Sequence, residues 1–337
     1  MKASVNAATA IVVTTIHPPG EAVRAFAGLD GHRLIVVGDR RTPADWSCPG
    51  VEYLAPDRST GAGRLFPLLP FHHYGRKMLG YLRALETGAR VIVDTDDDNI
   101  PKPGWSFPPF DGRSRRLRDG LGFVNVYRLF TGRRIWPRGF PLELVRSDAP
   151  IEFAEGTADT RVGAWQGLVD EDPDVDAIYR LTVGEPCTFA PGDPVTLGPG
   201  THCPFNSQNT AFRREVFPLL YLPVHVSFRF TDILRGMVAQ PIMAAAGFRL
   251  GFTGANAVQR RNPHDPMLDF VQEIPMYRHA RRALEIASAE TRTEASMSDN
   301  LVATYRALRA ERIVEDAELA PLEAWLSEVE RLMRTPG

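Results

Sequence analysis

The chain has 337 residues, of which 44% are hydrophobic and 24% are charged, and its formal net charge at pH 7 is -2. These values are typical of a globular protein with one large domain, or a domain with an appendage, and they give no indication of a nucleic-acid partner. Its three cysteines have no CxxC spacing, which argues against a disulfide framework and a zinc knuckle.

The N-terminal residues MKASVNAATAIVVTTI lack an extended apolar core followed by a small-residue cleavage site. They are therefore typical of a first strand rather than of a signal peptide. No apolar stretch of the sequence reaches the length of a membrane span. We expect a protein without a transmembrane segment that is cytoplasmic, or peripheral at the inner face of a membrane.

The first hundred residues alternate short apolar runs with helical patterns. Strands are predicted at 11–16, 34–38, 51–54 and 91–93, and helices at about 20–29 and 71–87. Strands that alternate with helices at this spacing predict an α/β fold with a mainly parallel, doubly wound sheet.

The rest of the chain is less regular. Residues 101–150 are rich in Pro, Gly and Arg, and such a long irregular segment is usually a functional loop or lid. The pattern then predicts a helix near 160–169, a strand at 177–183, a helix at 231–247 that Pro241 should kink, and a strand at 249–253. Helices are predicted between 274 and 333, and we expect them to form an appendage for packing or homo-oligomerisation.

The densest group of carboxylates is Asp94-Thr95-Asp96-Asp97-Asp98-Asn99, directly after the strand predicted at 91–93. Open α/β folds bind their ligands at this edge of the sheet, and like charges this close repel each other unless a cation neutralises them. Mg²⁺ and Mn²⁺ prefer oxygen ligands and usually complete their shell with substrate phosphates. The alternative is a solvated acidic turn, but a turn needs only one Asp or Asn. The pattern therefore predicts a divalent-metal site.

Better-known acidic motifs do not fit this run. A calcium loop that began at Asp94 would need Gly and Glu where the chain has Asn99 and Trp105. An aspartyl phosphate at Asp94 would need a later lysine, and none follows Lys102. No Walker loop occurs either. What remains is a strand followed by Asp-x-Asp, the arrangement of nucleotide-sugar transferases.

Residues at the ends of the other predicted strands would face the same crevice. Thr14 and Thr15 follow the first strand and Asp39 the second, so they could hold a base and a ribose, although Asp39 also suits an Asx turn. Arg76 and Lys77 lie near a helix N-terminus, where cations oppose the helix dipole. A bound diphosphate would explain two cations at this position.

Each of the following polar residues has two possible interpretations. Asn206, Ser207 and Asn209 could bind sugar hydroxyls or form turns and caps. Asp232 is either a stabilising charge in a helix first turn or a general base, and the pattern alone favours the first. Arg138 belongs to a basic stretch that is either a solvated face or a seat for diphosphate or an anionic acceptor.

Seven blocks in the same order resemble the STELLO-type glycosyltransferases, over about residues 9–265. The blocks are IVVTTIHPP, VVGDRRTPADW, YGRKMLGYLRALETGARVIVDTDDDN, RIWPRGFPLE, PDVDAIYRLT, CPFNSQNTAF and LPVHVSFRFTDILRGMVAQ. The resemblance implies a glycosyltransferase-A-like fold, a doubly wound mixed sheet with flanking helices, and a nucleotide-sugar donor. It implies a catalytic domain over residues 1–270 and leaves 271–337 as a C-terminal α-helical appendage, with the tail after about 275 outside the resemblance.

The resemblance also assigns roles to single residues. Asp94 and Asp96 correspond to the Asp-x-Asp pair, so Asp94 would touch ribose, while Asp96 and Asp97 would hold the metal. Asp232 and Arg235 fall in a block where the family carries an Asp and an Arg-Gly pair, which makes Asp232 the preferred base.

Two departures limit what carries over. Plant members have Arg-Gly where this chain has Asp98-Asn99. They also have a membrane anchor, so their Golgi residence and cellulose partner do not carry over.

These inferences combine into one hypothesis: a metal-dependent, inverting glycosyltransferase that uses Mn²⁺ or Mg²⁺ and moves a sugar from a nucleotide-sugar donor to a glycan or lipid-linked acceptor. Arg76, Lys77 and Arg138 would balance the diphosphate charge. One alternative is a sugar nucleotidyltransferase, although His17-Pro18-Pro19-Gly20 poorly matches the Gly-rich basic loop that it needs. The other is a non-catalytic nucleotide-sugar-binding or scaffold protein.

Overall fold

A mixed sheet forms the centre of the protein in a computed structural model that describes residues 8–58 and 62–334. Its parallel part consists of β1 (Thr9–Thr15), β2 (His32–Gly38), β3 (Val51–Leu54) and β4 (Val91–Thr95). These strands lie in the order β3-β2-β1-β4. The four predicted N-terminal strands and the parallel arrangement are confirmed.

Both faces of the parallel strands are buried, which explains their continuous apolar sequences. On one face Val12 packs in a core with Leu82 of helix α2 (Lys77–Glu86). On the other face Ile11 packs in a second core with Phe26 of helix α1 (Glu21–Ala27). Gly80 lets α2 lie directly on the sheet, because a Cβ there would come within 2.4 Å of Val12.

Most of the remaining strands extend the sheet beyond β4. They are β5 (Asn99–Pro101), β6 (Asp111–Leu117), β7 (Gly122–Phe123), β8 (Phe153–Asp170), β9 (Val195–Thr196), β10 (Thr201–His202), β11 (Asn209–Arg213) and β12 (Arg249–Gln259). β11 lies antiparallel between β4 and β8. The first half of β8 pairs with β6 and its second half with β12, while β9 joins β6 to β12. β5 pairs with β12, and β7 pairs with β10 in a separate small sheet.

Within residues 62–334, five further helices follow α2. They are α3 (Ala177–Thr182), α4 (Thr231–Ala245), α5 (Pro266–Glu290), α6 (Met297–Ala310) and α7 (Leu319–Arg334). Short 3₁₀ turns lie at Phe66–Leu68, Tyr74–Arg76, Val126–Leu129, Leu142–Leu144, Arg214–Leu220, Phe228–Phe230 and Asp316–Glu318. The architecture is an α/β fold with a large mixed sheet and flanking helices, as expected.

Two predicted elements are wrong. Residues 160–169, predicted as a helix, belong to strand β8, where the residues from Val162 to Asp170 are all buried. Because β8 is covered on both faces there, its sequence shows no strand alternation. Residues 177–183, predicted as a strand, form helix α3, whose first turn is capped by the Asp176 carboxylate accepting from Tyr179 N at 2.8 Å.

Other predictions differ only in extent. The helix predicted at 231–247 is α4, which continues through Pro241, and the strand predicted at 249–253 extends to Gln259 as β12. The segment 101–150, predicted as a loop, contains strands β6 and β7 among irregular backbone.

The C-terminal helices share the core of α2 and α4. Met276, Tyr305 and Trp325 are buried in the same cluster as Leu82, and the rings of Trp325 and Tyr81 are 6.3 Å apart. The predicted domain boundary at residue 270 falls inside α5, and residues 1–7 and 335–337 of the predicted domains lie outside the described residues. The two-domain division stays a prediction. Within the described ranges, none of the helices combines the length and the apolar character needed to span a bilayer.

Candidate functional site

A cavity of about 520 Å³ lies at the carboxyl ends of β1, β2 and β4. Thr14 and Thr15 line it from β1, and Asp39 lines it just after β2. The acidic run 96–98 lines it beyond β4, and Leu268, Asp269 and Gln272 line it from the start of α5. A cavity in this position agrees with the rule that open α/β sheets bind ligands at the carboxyl ends of their strands.

Asp96 is the carboxylate of the acidic run whose environment best suits a ligand. Its side chain is 29% exposed, while its Oδ1 accepts from Tyr74 Oη at 2.6 Å and from Lys77 Nζ at 3.0 Å. Burial raises the pKa of Asp96 above its usual value, the Lys77 ammonium opposes that rise, and the nearby negative charge of Asp98 adds to it.

Asp97 and Asp98 also line the cavity but are tied to neighbouring segments. Asp97 accepts from Thr15 Oγ1 and from Asn262 Nδ2. Asp98 accepts from Gln259 Nε2 at 2.9 Å and from the backbone N of Asn262 at 3.2 Å. Burial raises the pKa of both carboxyl groups, and neighbouring carboxylates add to the rise. The acidic run therefore fastens the segment after β12 to the end of β4.

Asp94, the first residue of the Asp-x-Asp pair, lies beneath the cavity. Its side chain has no exposed surface and forms ion pairs of 2.7 Å with both Lys77 and Arg235. Ser207 Oγ donates to it at 2.6 Å. Burial alone would lower the pKa of Lys77, but the ion pairs with Asp94 and Asp96 outweigh it and raise the pKa.

This buried cluster bears on three predicted roles. Among the described residues, those that line the cavity do not include Asp94, Lys77 or Arg235. The ribose contact of Asp94, the diphosphate contact of Lys77 and the catalytic role of Arg235 stay predictions. The structure explains the cation at the start of α2 differently, because Lys77 neutralises the carboxylates that follow β4.

Asp232 lines the cavity from the first turn of α4. Arg138 donates to both of its oxygens, at 3.0 and 2.8 Å, and also to Asp174 Oδ1 at 2.8 Å. Burial alone would raise the pKa of Asp232, but the Arg138 guanidinium outweighs it and holds the pKa below its usual value. Asp232 is therefore ionised at neutral pH, and its proton affinity is lower than that of a free aspartate.

The row of amides before β11 lies inside the protein. Asn206 Nδ2 donates to Asp174 at 2.7 Å, and Ser207 N donates to Asp232 at 3.2 Å. Asn209 bonds Asn256 and the backbone of Gly167. Gln208 of the same row lines the cavity. The predicted contacts of Asn206, Ser207 and Asn209 with sugar hydroxyls stay predictions, since all three residues already have hydrogen-bond partners inside the protein.

Several residues that line the cavity were not expected from the sequence. Arg229, Arg261 and Asp269 form ion pairs beside α5, and Arg261 and Asp269 are 2.8 Å apart. Burial lowers the pKa of Arg261 to about 10, and the charges of Arg180 and Arg229 contribute. In the sequence, this part of the cavity is marked by a cluster of charged residues around 260–269 that matches no known motif.

The residues present fit a metal that arrives with a phosphate. Within the described part of the chain, His, Cys, Asp and Glu residues form no group of three or more that could hold a metal ion. Asp96 and Asp97 nevertheless present carboxylates to the cavity. Mg²⁺ is commonly bound by one or two carboxylates with substrate phosphates completing its shell. A binding mode of that kind is compatible with this pair.

A mixed sheet flanked by helices, with an acidic cavity at the carboxyl ends of its parallel strands, fits the glycosyltransferase-A-like class of α/β proteins. The family model described as STELLO glycosyltransferases matches residues 229–334. The "Probable glycosyltransferase STELLO2" of Arabidopsis thaliana is 31% identical over 259 residues, which cover 70% of this chain and 34% of that protein. These similarities show that the chain is a member of the STELLO-type glycosyltransferase family.

Two more comparisons define the extent of the similarity. The "Probable glycosyltransferase STELLO1" of Arabidopsis thaliana is 28% identical over 339 residues, which cover 95% of this chain and 44% of that protein. The chain thus spans less than half the length of both relatives. Because the family match extends to residue 334, the expectation that the tail after about 275 lies outside the resemblance is wrong.

A solved structure titled "Crystal Structure of a Mycobacterial Protein" is similar with a TM-score of 0.37 and 13% identity, over 86% of this chain and 77% of that one. A similarity of that size carries no argument about fold or activity.

Proposed function

We propose that this protein is a metal-dependent glycosyltransferase that moves a sugar from a nucleotide-sugar donor to a hydroxyl group of a glycan or lipid-linked acceptor. The observation that carries the proposal is the cavity, which Asp96, Asp97 and Asp232 all line. Asp96 and Asp97 would hold a cation that binds the donor diphosphate, and Asp232 would suit an acceptor hydroxyl. The family similarity supports the same reaction class.

The ends of the parallel strands would hold the donor. Thr14, Thr15 and Asp39 would contact its nucleoside part, and Asp96 and Asp97 would hold Mn²⁺ or Mg²⁺ together with the diphosphate. A divalent ion there would supply Lewis-acid stabilisation of the leaving nucleoside diphosphate. Tyr74 and Lys77 fix the position of Asp96 through its Oδ1, and neither of these hydrogen bonds uses its Oδ2.

Asp232 would accept the proton of the acceptor hydroxyl in a single displacement, which inverts the configuration at the anomeric carbon. Arg138 holds the carboxylate in place through two hydrogen bonds. Its charge also keeps Asp232 ionised while the acceptor binds.

The rim of the cavity supports an acceptor with an apolar part. Phe228 and Leu268 both line the cavity, yet their side chains are 43% and 55% exposed. Met267 and Val271 continue this apolar surface along α5, with 56% and 57% exposure. A lipid-linked acceptor would cover such a surface while its polar head enters the cavity.

The proposal is tested by thermal unfolding with UDP-glucose, GDP-mannose or ADP-glucose, each with and without Mn²⁺. A donor at a hundred times its dissociation constant should stabilise the wild type by about 2.7 kcal/mol. Asp96→Ala should lose the metal-dependent part of this stabilisation, whereas Asp159→Ala, on the exposed part of β8, should keep it. No stabilisation by any donor would contradict donor binding, and pyrophosphate release from a nucleoside triphosphate would favour a nucleotidyltransferase.

A second measurement tests the base. With a donor and acceptor identified, Asp232→Asn should retain donor binding and lose transfer, and NMR of the product should show an inverted anomeric centre. Full transfer activity in Asp232→Asn would show that another group accepts the proton.

A further inference from the structure

The first half of helix α5 turns apolar side chains outward and carboxylates inward. Met267, Val271 and Ile274 are 56%, 57% and 40% exposed. Asp269 and Glu273 of the same turns are almost completely buried. A surface helix ordinarily has the reverse arrangement, with its apolar stripe toward the core and its charges in water. An outward apolar stripe therefore indicates a surface that another molecule covers.

The stripe follows one face of the helix and reaches the cavity. Met267, Val271 and Ile274 are separated by four and then three residues, which places them on one face over a length of about 10 Å. Leu268 and Phe228 line the cavity although about half of each side chain is exposed, so they lie at its mouth. We refer to these five residues together as the apolar rim.

The inward carboxylates fix the orientation of α5. Asp269 pairs with Arg261 and Glu273 with Arg229, both at 2.8 Å. Glu273 also accepts from the backbone N of Ala177 at 2.7 Å. Turning the stripe inward would break these buried ion pairs, which is costly because each would leave an uncompensated charge. The outward apolar stripe is thus a fixed feature of the folded protein.

A cation continues the same face of the helix. Arg278 comes four residues after Ile274, in line with the stripe, and its side chain is exposed. Among the described residues, no carboxylate pairs with Arg278. Arg281 and Arg282 follow one turn later, where they are exposed but pair with carboxylates. An apolar stripe that ends in cations is the arrangement of a helix that lies in the interface of an anionic bilayer.

A second copy of this chain fits the apolar rim less well than a lipid surface does. A protein partner on this face would cover Phe228 and Leu268 and so close the mouth of the cavity. A bilayer covers the same residues, but it is itself the source of any lipid-linked acceptor. The position of the stripe at the mouth therefore favours lipid.

We propose that the apolar rim and Arg278 dock the protein on the surface of an anionic lipid bilayer, with the mouth of the cavity toward the lipid. The apolar side chains enter the boundary between headgroups and acyl chains, and Arg278 pairs with lipid phosphates. The docking is reversible, because a stripe this short buries far less apolar surface than a spanning helix. The inference rests on the proposed function only for what the bilayer delivers, a lipid-linked acceptor.

The experiment is flotation of the full chain with vesicles of phosphatidylcholine alone and of phosphatidylcholine mixed with phosphatidylglycerol. We expect binding to the mixed vesicles that weakens at high salt, and about five-fold weaker binding to the neutral ones, since one cation near an anionic surface contributes about that factor. Absence of binding to the mixed vesicles would overturn the docking surface. Because the vesicles contain neither donor nor acceptor, that result would leave the proposed transfer reaction standing.

One pair of variants tests the apolar stripe. The double substitution Val271→Ser and Ile274→Ser should weaken binding to the mixed vesicles about ten-fold or more, since two apolar side chains no longer leave water. Leu68→Ser is the matched control, because Leu68 is also partly exposed but lies on the turn Phe66–Leu68 and does not line the cavity. It should bind as the wild type does. All three positions are exposed, and thermal unfolding verifies that the variants fold.

A second pair tests the charge. Arg278→Gln should weaken binding to the mixed vesicles about five-fold and reduce its salt dependence. Arg306→Gln, at an exposed position of α6, should change neither. Unchanged binding in the variants of α5, or equal losses in both controls, would overturn the assignment of this face. A dimer in sedimentation that Val271→Ser and Ile274→Ser dissociate would show instead that a second copy covers the stripe.

Discussion

Asp94 and Asp96 are two residues apart, yet they occupy different environments. The side chain of Asp94 is fully buried between Lys77 and Arg235, whereas that of Asp96 is 29% exposed at the cavity. Two buried cations need a carboxylate close by, because removing one charge from a buried ion pair leaves the other uncompensated. Asp94 therefore neutralises the two buried cations, and Asp96 faces the cavity.

We expect Asp94→Asn to lower the free energy of unfolding by about 3–5 kcal/mol, because Arg235 would lose its carboxylate partner in a buried site. The matched substitution Asp96→Asn should change stability far less but abolish metal-dependent donor binding. Urea unfolding of both variants, beside donor titrations, separates the two effects. If Asp94→Asn unfolds like the wild type but loses donor binding, Asp94 contacts the ligand directly, as its predicted ribose role requires.

The part of the site predicted from the sequence follows from residues that end parallel strands. Thr14, Thr15 and Asp39 were found because such ends meet at one edge of a sheet. The burial of Asp94 could not be predicted, since Arg235, one of its two ion-pair partners, lies 141 residues away in the chain. Arg229 and Arg261 were missed for the same reason, as only the packing of α5 brings them to the cavity.

At the scale of single elements, β8 and α3 show where local pattern fails. Trp165, Leu168 and Val169 have a spacing compatible with a helix, but pairing with β11 and β12 makes this segment a strand. In α3, Ile178 and Tyr179 favour a strand by propensity. The carboxylate of Asp176 caps the first turn and overrides that preference.

The same Asp176 predicts how stability depends on pH. Its carboxylate accepts from Trp136 Nε1 at 2.7 Å and from Tyr179 N, yet burial raises its pKa from 3.8 to about 6 in the folded protein. Between these values the folded state binds more protons than the unfolded state, so stability falls as pH rises through about 6. A rise in pKa of about two units corresponds to roughly 3 kcal/mol in the free energy of unfolding. This contribution of Asp176 to stability is fully present below pH 4 and is lost above pH 7.

We expect Asp176→Asn to flatten this part of the pH profile, because the amide does not titrate. The readout is the difference in unfolding free energy between pH 4 and pH 7, since Asn can accept only one of the two hydrogen bonds and its absolute stability will also change. Asp159→Asn, at an exposed position of β8, is the control and should keep the wild-type slope. An unchanged slope in Asp176→Asn would show that other carboxyl groups cause the dependence.

At the scale of the whole molecule, the C-terminal helices support the segment that leads to the cavity. The Glu318 carboxylate, just before α7, accepts from the backbone N of Val224 at 2.9 Å and of His225 at 2.7 Å. Those residues precede the turn that carries Phe228 and Arg229 to the rim. An alternating charge pattern alone could not reveal this role, because charged helices of an appendage have the same sequence appearance.

Deletion of residues 271–337 tests whether these helices are an appendage or part of the fold. We expect the shortened chain to lose cooperative unfolding, since the deletion removes Met276, Tyr305 and Trp325 from the core that also contains α2 and α4. Denaturant unfolding followed by near-ultraviolet circular dichroism measures this loss, and a chain that ends at Arg334 is the control that keeps α7 complete. A sharp transition in the chain 1–270 would instead support the predicted two-domain division. It would then follow that the core formed by the sheet, α2 and α4 is sufficient to hold the cavity, and that the tail serves packing or oligomerisation.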